Sequence, residues 1–158
     1  PSHGASSARM EGYRRAFAEA GVSIDDGLVV TGDFTYEIGY KVAAELLSRT
    51  PRPTAILAQN DDMAVAAMAV VREAGLSVPV DVSIAGFDDS EVSRTVWPQL
   101  TTVRQPVSEM AWDATDRLIA ALEADRKKGG GEEIAQTPTR MGAHGYKLCV
   151  RGSTAPPG

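Results

Sequence analysis

The residues with the most chemical capacity in this 158-residue chain are four aspartates in two doublets. Asp61-Asp62 follows Gln59-Asn60, and Asp88-Asp89 follows Phe87. Carboxylates placed together can ligate a divalent cation, work as acid and base, or accept hydrogen bonds from the hydroxyls of a polar ligand. A further acid, Asp33, stands in Gly32-Asp33-Phe34. Arg9 adds a planar guanidinium fork that suits vicinal hydroxyls or a carboxylate. Catalytic partners are missing around these groups. His3 and His144 each lie in a glycine-containing loop without a motif partner and read as solvent histidines. Cys149 falls inside an expected strand and reads as a small core or interface residue. No glycine-rich phosphate loop is present. A Mg²⁺ phosphotransfer site of receiver type would want a lysine at a neighbouring strand end, and the strands offer none. The residues therefore predict binding rather than catalysis, with no catalytic residue, no metal and no cofactor.

The elements around these residues decide whether they can meet. Ser6-Ser7 opens a helical pattern in which Met10, Tyr13, Ala16, Phe17 and Ala20 recur at three- and four-residue steps, and Gly21 stops it. Leu28-Val29-Val30 reads as a short buried strand, and residues 35–49 as a helix. Pro51 and Pro53 break the chain before an apolar strand at 54–58. A helix from Met63 to Gly75 follows, then a strand at 82–87, an extended piece at 100–104 and an amphipathic helix at 108–125. A charged loop at 127–133 and a turn at Gly142-Ala143-His144-Gly145 precede a strand at 146–150. The order is αβαβαβ with strands apolar on both faces, which predicts an α/β fold: a parallel sheet flanked by helices on both sides. Ligands of such sheets bind outside the carboxyl ends of the strands. Asp33, Asn60-Asp61 and Asp88-Asp89 all fall at that edge. Each also stands near a helix start, where a short polar side chain can cap free N–H groups, so capping and ligand binding are both open for any one of them. The convergence of three polar strand ends favours a site.

Composition narrows the function classes. The chain is 43% hydrophobic and 23% charged, as ordinary globular domains are. Its net charge of −5 argues against a free-standing nucleic-acid binder and against an anionic membrane surface. A single cysteine excludes an internal disulfide and suits a reducing, cytoplasmic setting. No run reaches the roughly 18 apolar residues needed to span a bilayer. Pro1-Ser2-His3-Gly4 lacks a signal-peptide pattern and Met10 is the first methionine, so the chain reads as a fragment or a processed product.

Six segments in register resemble the LacI/GalR family of bacterial transcription regulators. They are Ser7-Ala8-Arg9-Met10-Glu11-Gly12-Tyr13, Gly32-Asp33-Phe34, Ala58-Gln59-Asn60-Asp61-Asp62-Met63-Ala64, Ile84-Ala85-Gly86-Phe87-Asp88-Asp89, Pro98-Gln99-Leu100-Thr101-Thr102-Val103-Arg104-Gln105-Pro106 and Val150-Arg151-Gly152-Ser153-Thr154. The resemblance implies a periplasmic-binding-protein-like effector domain, mostly its C-terminal lobe with part of the N-terminal lobe. Residues 1–105 would form the C-terminal lobe, 106–135 a helix and loop of the N-terminal lobe, 136–152 the terminal strands and 153–158 a flexible tail. By the same resemblance Arg9 and Asp88 would grip ligand hydroxyls, Asn60 would add a hydrogen bond, Phe34 would stack on the ligand and Gln105 would line the cleft. Asp61 would cap its helix. A homodimer would form through Val65, Met68 and Val96, although Val65 and Met68 also read as ordinary core. The implied effector is a sugar or related polar metabolite, and operator DNA would be bound only through a domain preceding residue 1. The alternative is a sugar-binding protein of a transport system. The stretch from Met141 to Gly145 and Ala111 in place of a glycine depart from the family pattern.

Overall fold

The computed structural model describes residues 4–127 and 145–156. The chain divides into two compact units, residues 1–104 with 148–158, and residues 105–147. In the first unit, α1 (Gly4–Glu19), α2 (Tyr36–Leu47), β1 (Ala55–Leu57), α3 (Asp61–Glu73), β2 (Ser83–Asp88), the single-turn α4 (Val92–Thr95) and β3 (Thr101–Arg104) follow one another. The second unit is built on α5 (Val107–Lys127), the long helix expected there. A last strand, β4 (Lys147–Cys149), completes the sheet order β1-β2-β3-β4.

The ladders between β1, β2 and β3 are parallel, with Ala55 opposite Ser83, Ala85 opposite Thr101 and Asp88 opposite Arg104. This register brings the carboxyl ends of three strands to one edge. The predicted parallel sheet flanked by helices is the observed architecture, and β2 and β3 lie within one residue of their expected bounds. Helix α3 lies deep against the sheet because its inner face is small: Ala64, Ala66 and Ala67 are almost fully buried. Val71, Val82, Ile84 and Leu100 fill the layer between, each contributing about 1.5–3 kcal/mol by leaving water. Helix α2 crosses α3 at Gly39, where a Cβ would come 2.7 Å from the Met63 Cα. Thr35 caps α2 by accepting from the Ile38 N–H at 3.3 Å.

Two expectations, one on a strand and one on the tail, are corrected. Leu28-Val29-Val30 is not a strand: Asp25 accepts from the Gly27 N–H and starts a 3₁₀ turn at Asp26–Leu28, and Val29, though extended, enters no ladder among the described residues. Helices lie on both faces of the sheet as expected, though they cover them unequally. Gly86 faces α3, so by alternation Phe87 faces the other side, which α1 reaches without burying any residue. Leu57 on that side is 56% exposed. The tail is not loose at its start either. Ser153 is fully buried, accepts from the Thr101 N–H at 2.8 Å and donates to the Ile84 carbonyl at 2.6 Å, while its own carbonyl accepts from the Ile84 N–H. The expected loop at 127–133 and the turn before Gly145 lie outside the described residues apart from Lys127 and Gly145, as do His3 and His144.

Candidate functional site

The carboxyl ends of β1 and β2 and the start of α1 meet at one polar edge. The Arg9 guanidinium lies over the Phe87 ring, 3.9 Å from its centroid. The same group donates to the Gln59 carbonyl and stands 3.5 Å from the Asp88 carboxylate. A guanidinium held over an aromatic ring and paired with a carboxylate has given up rotamer freedom before any ligand arrives. Asn60 holds the third element. Its Oδ1 accepts from the Met63 N–H at 3.0 Å, capping α3, and its Nδ2 donates to the Phe34 carbonyl at 2.8 Å. Arg9, Phe34, Asn60 and Asp88 are thus brought to one edge. Gln105 is the first residue of the second unit and belongs with it.

Roles at this edge differ from the sequence expectation in two places. Asp61 does not cap α3; Asn60 does. Asp61 is buried instead as a tie between strand ends, accepting from the Ser90 N–H at 2.7 Å, the Ser90 hydroxyl at 3.0 Å and the Thr102 hydroxyl at 2.6 Å. Room for it comes from Gly86, because a Cβ there would collide with the Asp61 Oδ1. Asp89 had no expected part and is the centre of an ion-pair cluster. Its side chain, 0% exposed, meets Arg94 at 2.8 Å, Arg104 at 2.5 Å and Arg151. Burial pushes its pKa up, but hydrogen bonds from the Arg94, Arg151 and Arg104 guanidiniums outweigh that and hold the carboxyl well below the usual carboxylate range. The signals for it are three arginines 5, 15 and 62 residues downstream, a spacing no local motif reveals.

These ties hold an unusual backbone. Phe34, Asp88 and Asp89 have φ of 70°, 117° and 54°, left-handed values that non-glycine residues seldom adopt and that cost about 1–3 kcal/mol each. All three stand at the polar edge. Asp33 fixes the turn at Phe34 by accepting from the Thr35 N–H and hydroxyl at 2.9 and 2.6 Å, bonds that lower its pKa. Asp61 and Asp89 are filled by protein donors, which leaves them unsuited to hold Mg²⁺. Among the described residues no group of three or more histidine, cysteine, aspartate or glutamate side chains could hold a metal ion.

On the far side of α3, Met68 is buried in the core, and Val65 and Val96 pack against it. Met68 also lines a groove of about 260 Å³ with Arg72, Leu76, Val78, Trp97 and Pro98. Trp97, not singled out from sequence, is 79% exposed there.

A family model described as a periplasmic binding protein-like domain matches residues 1–154. The chain belongs to this family. Within the periplasmic binding protein-like family it is similar to the ribose operon repressor of Escherichia coli strain K12, 43% identical over 111 residues, which are 70% of this chain and 34% of that protein. The HTH-type transcriptional regulator CelR of Thermobifida fusca is 42% identical over 121 residues, 77% of this chain and 34% of CelR. Among solved structures, a CelR–cellobiose complex superposes with a TM-score of 0.74 at 40% identity, covering 92% of this chain and 41% of that one. A LacI-family sugar-binding regulator from Escherichia coli complexed with phosphate gives a TM-score of 0.77 at 31% identity, covering 99% and 52%. The LacI-type resemblance read from the motifs is borne out, since the relatives are regulators of that kind. The chain spans about a third of the length of these curated relatives. No helix among the described residues is long and apolar enough to cross a membrane.

Proposed function

We propose that this chain is the small-molecule-sensing part of a LacI-type transcription regulator and that its effector is a sugar or a related polyhydroxylated metabolite. The observation that carries the reading is Arg9 stacked on Phe87 beside Asp88. Together they place a guanidinium fork, an aromatic face and a carboxylate at the edge where parallel sheets bind ligands, the mix that hydroxyl-rich molecules need. The names of the ribose operon repressor and the CelR–cellobiose complex support sugar as the ligand class. Arg9 and Asp88 take the hydroxyls, Phe34 offers its ring, and Asn60 acts on the ligand through its grip on Phe34. Gln105 keeps its proposed place by its motif alone.

Nothing in this arrangement calls for a reaction, so the role is non-catalytic. Ligand shifts the population of two domain arrangements, and operator affinity in the whole regulator changes by the same coupling free energy. The regulator works in the cytoplasm as a homodimer. The groove beside Met68, with Val65 and Val96 supporting it from the core and Trp97 exposed on it, receives the second copy. Isothermal titration of the full-length protein with D-ribose and cellobiose tests the ligand class. Binding of either sugar that Asp88→Ala abolishes, with circular dichroism unchanged, is the expected outcome. Equal affinity in the wild type and Asp88→Ala would sink the site assignment.

A further inference from the structure

One polar atom at this edge has no partner. The Gln59 Oε1 is buried and receives no hydrogen bond, one of two such side-chain atoms among the described residues. A buried acceptor left without a donor is rare in folded proteins and asks for a reason. Its position supplies one. Leu57 of β1 is aligned with Ala85 of β2, so the register carried two residues further sets Gln59 beside Phe87, on the sheet face away from α3. Arg9 lies on that face, over Phe87, and donates to the backbone carbonyl of Gln59 itself. The neighbouring polar groups are already engaged. Both ends of the Asn60 amide are bonded, Asp88 faces Arg9, and Asp61 and Asp89 are filled by donors from the protein.

We infer that Gln59 is a specificity-determining ligand contact, its amide oxygen accepting from a hydroxyl of the polyhydroxylated molecule that Arg9 and Asp88 hold. The inference rests on the sugar-binding reading of the edge and extends it with a buried acceptor. A site that keeps a buried acceptor for a ligand hydroxyl rejects analogues lacking that hydroxyl, because the acceptor is then left unpaired. The ligand-free protein bears the unpaired oxygen, and the bound state satisfies it.

Gln59→Met keeps the length of the side chain and removes the amide. The experiment is isothermal titration of full-length wild type and Gln59→Met with D-ribose and with cellobiose, beside thermal melting of both without sugar. The expected result is an affinity about tenfold weaker in Gln59→Met for whichever sugar the wild type binds, as loss of one hydrogen bond implies. The sugar-free variant melts at a higher temperature, because an orphaned acceptor has been replaced by apolar atoms. A lower melting temperature without sugar overturns the inference, since the amide then serves the fold. Sugar binding unaffected by Gln59→Met overturns the role of Gln59 alone. A wild type that binds neither sugar overturns the sugar reading of the edge and, with it, the hydroxyl partner assigned to Gln59.

Discussion

Asp89→Ala removes the one carboxylate shared by Arg94, Arg104 and Arg151. Breaking a buried ion pair from one side costs about 3–5 kcal/mol, because the partner charge stays buried and unpaired. The structure discounts that range. Arg94 and Arg104 are 53% and 47% exposed and can turn to water, whereas Arg151 is 14% exposed and cannot. Arg151 also donates to the Leu100 carbonyl at 2.8 Å and the Ser93 hydroxyl at 3.0 Å, which keeps it in place as an uncompensated cation. The loss should sit at the lower end, about 3 kcal/mol, read as the fall in unfolding free energy in urea. Acidity gives a second measure. The folded pKa of Asp89 is depressed, so its stabilisation is complete above the unfolded value of about 3.9 and fades as pH falls below it. Wild type should lose stability steeply below about pH 4, and Asp89→Ala less steeply, since its unfolding no longer takes up that proton. A loss under about 1 kcal/mol at pH 7, with an unchanged acid slope, would mean that Arg151 is not left as a buried unpaired cation.

Asp88→Gly should raise stability by about 1 kcal/mol, by relieving φ 117° at a residue with a Cβ, while ending sugar binding; chemical denaturation and titration on the same sample check both. Gly39→Ala should cost about 1–3 kcal/mol in urea denaturation, because the new methyl meets the Met63 backbone rather than a side chain that can turn away. Trp97→Ala should shift the full-length protein from dimer towards monomer in sedimentation velocity at micromolar concentration, and an unchanged dimer would remove the groove from the proposed interface.

Local pattern made much of the architecture legible. Helices α1, α2 and α5 announce themselves by three- and four-residue apolar spacing, and β2 by a short apolar run. Leu28-Val29-Val30 shows where such pattern ends, because apolarity says a segment wants burial without saying that a neighbouring strand exists to pair with it. Residues 153–155 look like tail in sequence because Ser153 is small and polar, and only its bonds to Thr101 and Ile84 reveal that it is core. At the site, Arg9, Phe34, Asn60 and Asp88 could be picked out by type and motif. The division of labour could not. Asn60 and Asp61 are adjacent and both suited to capping, and the choice between them falls to Ser90 and Thr102, which only the folded sheet brings near. Asp89 was illegible for the same reason: its partners are gathered from α4, β3 and the segment after β4.

The reach of Arg151 to Asp89 also bears on how the chain folds. The two lie 62 residues apart, and Ser153 lies 69 residues beyond Ile84, the strand residue it secures. A polypeptide can pair β1 with β2 and β2 with β3, and can seat Asp89 against Arg94 and Arg104, without residue 151. Without it the left-handed turn at Asp88 is held by two of its three guanidiniums, and both of these face water. Contacts closed over such distances form late and slowly. The ladders of β1, β2 and β3 can therefore form first, and the geometry of the polar edge is completed only when the closing segment docks.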